Sequence, residues 1–326
     1  MPGQQLTLTF VKTASVRPRG VVVFSVMRDE DYFLPFFFDH YRKLGVDGFL
    51  IYDDRSGERT LEFLSAQPDC SIVRSDHAFG DSFAPAGALF DRRLPHVLKE
   101  SVPESLLRDR WVLTVDADEF LVLPSEFQDL PQLIAALERR EQPYLTAPMV
   151  DFYGETLAAR NYPRNLSPFE ANPYFDCGPY YFWLGEQTPT VFAGGVRHKL
   201  LRRLYQRRPD LVAQIYNRSG RAAQYLWKSP LLKHGAGVTR VGDHSLSVCP
   251  APGLEGALAH FKFYPDLDAK IAMALHERQY VSGSVQYAIL QAAIDVMGDE
   301  SLVTWETCRY DGPASLERAQ LMRGLG

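Results

Sequence analysis

Between residues 20 and 74 the chain alternates short β-branched runs with amphipathic stretches, and nothing else in it constrains the fold as tightly. Gly20 to Val26 (GVVVFSV) is continuously apolar and valine-rich, the pattern of a buried strand. From Tyr32 to Leu44 the apolar residues recur at helical spacing, and Gly45 marks the end. Phe49 to Tyr52 reads as a second strand, Thr60 to Gln67 as a short helix, and Ser71 to Arg74 as a third strand. Strand–helix–strand–helix–strand predicts an α/β fold, an open and mostly parallel Rossmann-like sheet with helices on its faces.

The remainder extends this pattern less regularly. Leu6 to Val11 reads as an edge strand, and residues 86 to 109 as a helical stretch interrupted near Pro95 and Pro103. A strand begins at Trp111, a helix spans Leu130 to Arg140, and another strand spans Tyr144 to Val150. From Asp151 to about Pro189 the composition turns to Pro, Tyr, Phe, Asn and Gly, which predicts a long irregular segment of the lid or substrate-loop kind. Arg197 to Arg203 reads as a basic strand. Lys228–His234, Thr239–His244 and Ala257–Phe263 follow as further segments, then helices at Leu267–Arg278 and Ser284–Val296 and a polar tail. No repeat or low-complexity linker interrupts the chain, so a single domain is expected. A lead-in over 1–19, a main body over 20–265 with halves at 20–125 and 126–265, and C-terminal helices over 266–326 divide it.

Composition narrows the classes. With 46% hydrophobic and 23% charged residues the chain has the make-up of a soluble globular protein. Its net charge of −5 argues against nucleic acid as a main partner. The first residues lack a charged head followed by an apolar run, so no signal peptide is expected, and no stretch has the length of a membrane span. Cys70, Cys177, Cys249 and Cys308 show no zinc-type spacing, which suits reduced thiols in a cytoplasmic protein.

The chemistry concentrates after Trp111–Val115. Three carboxylates, Asp116, Asp118 and Glu119, stand between that apolar run and a second one, Phe120 to Leu123. Carboxylates at the end of a buried strand are costly unless a positive group neutralises them. A hard divalent cation, Mg²⁺ or Mn²⁺, together with the phosphates it carries, would do so. Alternation along an extended chain turns Asp116 and Asp118 to one side, where both could face one ion. A solvated acidic turn is the plain alternative. In an open parallel sheet ligands bind beyond the carboxyl ends of the strands. Arg28 and Glu30, Asp53 and Asp54, and Asp116 and Asp118 all fall at such ends.

Met27-Arg-Asp-Glu, Phe36-Phe-Phe-Asp-His-Tyr, Leu44-Gly, Ile51-Tyr-Asp-Asp-Arg-Ser and Asp116-Ala-Asp-Glu-Phe occur in this order. Gly194-Gly-Val-Arg197, Lys228-Ser-Pro-Leu, Asp243-His244 and His260-Phe-Lys262 follow. Over roughly residues 20 to 265 this set resembles the GT-A fold glycosyltransferases, in particular those related to families 2 and 92. Where that group carries Asn-Glu after the first strand, this chain has Arg28-Asp29-Glu30. The resemblance implies a nucleotide-sugar donor, with a UDP-sugar favoured, bound by 20–125, and an acceptor bound by 126–265. Mn²⁺ or Mg²⁺ would bridge the Asp-x-Asp carboxylates and the diphosphate, stabilising the leaving group's charge. By the same resemblance Asp118 is the first metal ligand and Asp116 touches the ion or the donor ribose and sugar. Asp53 or Asp54 would sit near the base or ribose, and Arg28 and Glu30 beside the donor.

A late histidine and lysine complete the implied set. His260 would ligate the metal, with His244 as rival, and Lys262 would meet the diphosphate. Arg197 would clamp a phosphate or cap a basic strand. An inverting transfer needs a carboxylate base for the acceptor hydroxyl. Asp151, which follows a strand directly, comes first, then Asp176 and Glu186. Tyr153, Tyr174, Tyr180, Tyr181 and Trp183 could wall an acceptor pocket, or simply pack. The expected function is thus a cytoplasmic, metal-dependent glycosyltransferase acting on a glycan, lipid-linked or protein hydroxyl, with polysaccharide biosynthesis as its setting and a peripheral place at a membrane allowed. The alternatives are a metal-dependent phosphohydrolase using the same carboxylates and a non-catalytic sugar-binding module.

Overall fold

The computed structural model describes residues 6–17, 19–83, 93–183, 191–219, 225–250 and 253–325; side chains are described for all of these except 181–183, 191–193 and 281. The strands are β1 (Thr9–Lys12), β2 (Val22–Met27), β3 (Gly48–Asp53), β4 (Cys70–Arg74), β5 (Trp111–Thr114), β6 (Glu119–Val122), β7 (Tyr144–Tyr153) and β8 (Tyr174–Asp176). They continue with β9 (Tyr181–Trp183), β10 (Val191–Ala193), β11 (Trp227–Lys233), β12 (Arg240–Val241), β13 (Ser245–Leu246), β14 (Ala257–His260) and β15 (Thr307–Arg309). The helices are α1 (Leu34–Lys43), α2 (Glu58–Ala66), α3 (Leu94–Leu106), α4 (Leu130–Arg139), α5 (Pro168–Ala171), α6 (Gly195–Arg207), α7 (Pro209–Ser219), α8 (Leu267–Glu277), α9 (Val281–Met297) and α10 (Pro313–Arg318).

The molecule is an α/β protein built on one large mixed sheet. Its first half, β4-β3-β2-β5, is parallel, as the strand–helix alternation requires, and β1 closes the edge antiparallel to β4. Beyond β5 the order continues β11-β7-β14-β6, and here only the β7–β14 pair is parallel. The expectation of a mostly parallel sheet therefore holds for the first half alone. Burial explains the first half: β2, β3 and β5 are covered on both faces, by Phe37, Phe38 and Tyr41 of α1 on one side and Leu94, Leu98 and Val102 of α3 on the other.

One connection shapes the rest. β5 and β6 are joined by a tight turn in which the Glu119 N–H donates to the Asp116 carbonyl at 3.1 Å. Yet three strands lie between them in the sheet order. In a flat sheet, four steps of about 4.8 Å would separate these strands by about 19 Å, whereas the ends of a four-residue turn lie within about 7 Å. The second half of the sheet must therefore roll up around the turn. Rolling aims the ends of β11, β7 and β14 at residues 116–119.

Three local expectations change. Arg197–Arg203 is not a strand but lies within α6, whose buried side chains Val196, Lys199, Leu200 and Leu204 recur at helical spacing. The 151–189 segment is partly ordered: β7 runs on to Tyr153, α5 starts with a Ser167–Glu170 capping box, and β8 pairs with β7. The tail after Val296 is structured too, since β15 adds to β8 and Glu255 and Arg323 exchange backbone hydrogen bonds of 2.9 and 3.1 Å. Among the described residues no helix is long and apolar enough to cross a membrane.

Candidate active site

The rolled sheet gathers charged groups from six elements around the β5–β6 turn. Asp118 lies at its centre. Its Oδ2 accepts from Lys262 Nζ at 2.6 Å and lies 3.6 Å from His260 Nε2. His260 ends β14, directly opposite Glu119 of β6 and Asp151 of β7, so the register alone brings the three together. The imidazole Nδ1 is 2.5 Å from Asp151 Oδ1, and Arg197 Nε donates to Asp151 Oδ2 at 2.7 Å. Asp151 thus has both oxygens engaged. In the neutral ring, a hydrogen bond from Nδ1–H to this carboxylate would leave the lone pair on Nε2, on the side of Asp118.

Asp116 turns elsewhere. The tight turn ends the extended alternation that would have set it beside Asp118. Its carboxylate instead accepts from Lys99 at 2.7 Å and from Lys228 at 3.0 Å. Lys99 also donates to Asp243 at 2.7 Å, and Lys228 to Glu119 at 2.6 Å. Lys99 and Lys228 thus offset the charge of Asp116, and Lys262 that of Asp118.

The electrostatics follow from burial and these partners. Burial pushes the Asp116 carboxyl up, but Lys228 and Lys99 outweigh it and hold it below the ordinary carboxylate range. Burial likewise opposes Lys262 and His260 at Asp118, and Arg197 and His260 at Asp151; both acids end below their usual values. At Glu119 burial wins over Lys228 and the carboxyl is raised. Asp118 and Lys262 keep 15% and 26% of their side-chain surface open, Asp116 34%, while Glu119 and Asp151 are sealed. The open face of the cluster is therefore Asp116, Asp118 and Lys262, with Asp243 and Arg197 open to a similar degree.

The other sequence candidates divide. Arg28 lies at the end of β2, where it forms a bidentate pair with Glu277 of α8, and Glu30 pairs with Lys270 of the same helix at 2.9 Å. Asp53 is buried and accepts from Arg74 at 2.7 Å; Asp54 is buried, and its carboxyl is raised by that burial against nearby Arg28 and Arg55. His244 does not join Asp118: its Nδ1 bonds the Trp227 carbonyl at 2.9 Å, and burial lowers the imidazole to about 4. Asp176 sits in a separate buried knot, accepting from Lys199 at 2.6 Å and from the Tyr153 hydroxyl, with Tyr180 bonded to its carbonyl. Tyr153 is thus a core residue, and Tyr174 leans on it at 6.3 Å between ring centres. Glu186 and the side chains of Tyr181 and Trp183 lie outside the described residues.

Three contributors went unnoticed in the sequence: Lys99, Glu119 as a possible donor, and Asp243 as a lysine partner. Lys99 carried a signal, for it stands four residues after Pro95 and three before Val102, on the buried face of α3. A charge on an apolar face needs a partner at its tip.

No protein-family model and no curated protein matches the chain.

Proposed function

We propose that the chain is a metal-dependent glycosyltransferase of GT-A type, moving a sugar from a nucleotide-sugar donor to a hydroxyl of a glycan, glycolipid or protein. One observation carries this reading: an open carboxylate, Asp118, faces the Nε2 of a histidine whose other nitrogen is held by a buried Asp151–Arg197 pair. Carboxylate–histidine pairs of this kind orient an imidazole toward a metal and raise its basicity. Asp118, Glu119 and His260 each offer a donor atom, all within 4.8 Å of one another, so the residues present fit such an ion. Both Glu119 oxygens already accept hydrogen bonds, from Lys228 and the Asp116 N–H. Asp118 and His260 are accordingly the accessible ligands, and the mixed oxygen and imidazole set suits Mn²⁺ better than Mg²⁺. When bound, the cation would stabilise the negative charge that grows on the departing diphosphate.

The chain's own residues supply the rest. Lys262 stands at the open side of Asp118, where an ammonium can meet a phosphate oxygen. Arg197 and Asp151 hold the imidazole in one tautomer and orientation. Asp151 is therefore a positioning group in this reading: a carboxyl held below its usual range with both oxygens engaged is a poor base. Asp176, locked to Lys199 in the core, is equally ill-placed. Of the three carboxylates considered for the inverting base, Glu186 is the one left. Arg28, Asp54 and the Arg74-bound Asp53 line the ends of β2 and β3, where the base and ribose would lie.

Thermal unfolding against a panel of nucleoside diphosphates and nucleotide sugars, each with Mn²⁺ or with EDTA, tests the reading. A metal-dependent rise for at least one nucleotide is expected, because ligands that bind only the folded state stabilise it. No rise with any nucleotide would overturn it.

A further inference from the structure

Cys177 and Cys308, distant in sequence, meet where β15 pairs with β8. Cys308 opposes Phe175, and Thr307 opposes Asp176. Cys177, two residues beyond Phe175, therefore lies diagonally from Cys308 on the same face of the ribbon. Its N–H donates to the Glu306 carbonyl at 2.8 Å, and its thiol donates to the same oxygen at 3.1 Å. Both cysteines are free and half-buried. They open onto a cavity of about 500 Å³, which they line with Arg309, Ser315, Arg318 and Gln320.

We propose that Cys177 and Cys308 form a dithiol site that exchanges with small, carboxylate-bearing disulfides and closes to an intramolecular disulfide. The Cys177 thiol gives its proton to solvent and its sulfur attacks one sulfur of the external disulfide; the S–S bond breaks, and the released thiolate takes a proton from water. Cys308 then gives its proton to solvent and attacks the Cys177 sulfur of the mixed disulfide, expelling the second thiolate. The protein's two thiols are oxidised to one disulfide, and the external disulfide is reduced to two thiols; no other oxidant is needed. We assign Cys308 the second step because the mixed disulfide then holds its target beside it on the same face of the ribbon, and burial, which raises its thiol, disfavours it as the first thiolate. Arg309, exposed beside the cavity, offers a guanidinium to the carboxylates.

The test uses the full chain incubated with glutathione disulfide, then alkylated and mapped by peptide mass spectrometry. A Cys177–Cys308 linked peptide that dithiothreitol reverses is expected, with buried Cys70 left as a free thiol. The Cys308→Ser variant should accumulate glutathione on Cys177. Glutathione on exposed Cys249 alone, with Cys177 and Cys308 both alkylated, would overturn the proposal. So would linkage of the pair without any Cys177 adduct in Cys308→Ser, which would reverse the order of attack. Neither readout depends on nucleotide or metal, so the outcome is independent of the function proposed above.

Discussion

Asp118 is the residue on which the site turns, because among the described residues it alone touches both the His260 imidazole and an ammonium while remaining open to solvent. Replacing it by Asn keeps shape and one acceptor for Lys262 but removes the charge. Asp118→Asn should lower nucleotide-sugar turnover by about 100-fold or more while its thermal midpoint stays within a few degrees of the parent; unchanged turnover would remove Asp118 from the chemistry. His40 offers a prediction about pH. Burial lowers its imidazole to about 4, and its Nε2 lies 2.8 Å from the Leu121 carbonyl. The fold thus favours the neutral ring, whereas the unfolded chain takes up a proton near pH 6.5. Between about pH 6.5 and 4 the unfolded state holds more protons, so this group costs stability as pH falls through that window. His40→Gln retains a donor at the same reach and cannot titrate. Its stability loss on acidification from about pH 7 to 5 should be smaller than the parent's, measured by urea unfolding at each pH.

At the scale of elements, the legible parts were those whose burial follows a simple period. β2, β3, α1 and α2 lie within two or so residues of their expected places because each presents one uniform face or a fully buried run. α6 did not, because Lys199, one of its buried positions, is a lysine whose partner Asp176 comes from another strand. Read as polar, it breaks the 196–200–204 stripe. The Asp-x-Asp carboxylates were legible as a cluster, but their division was not: that depends on the turn at 116–119 and on lysines from α3 and β11. α6 itself begins at Gly195 with φ of +67°, in the left-handed region. A methyl group there would meet only ordinary contacts with Tyr180 and Asp151, so the cost is backbone strain. Gly195→Ala should destabilise the protein by roughly 1–2 kcal/mol in denaturant titration. It should also reduce turnover, because Arg197 leaves the first turn of this helix to hold Asp151. A neutral result would mean the helix start tolerates rearrangement.

At the scale of the molecule, the tail is part of the body. Lys199 donates to the Leu302 carbonyl at 2.9 Å, Arg202 pairs with Glu306, and Arg323 completes a backbone bridge to Glu255 beside β14. Removing residues 299–326 would strand a buried ammonium–carboxylate pair without its remaining partners. The shortened chain should lose its cooperative thermal transition by far-UV circular dichroism; retention of a sharp transition near the parent's would show that 1–298 folds alone. The β5–β6 turn has a kinetic consequence as well. Strand β3 meets β2 and β4 across only about 26 and 21 residues, but β6 can seat only after β14 arrives from some 140 residues downstream and β11 and β7 have filled the interval. Closing such long loops precedes any reward in contacts, which makes their formation slow. The acidic turn is thus among the last places to become ordered during refolding. In pulsed hydrogen exchange, amides of β2 and β3 should gain protection before those of β6 and β14, and a refolding chain would acquire its chemistry at the end, after most of its sheet is already in place.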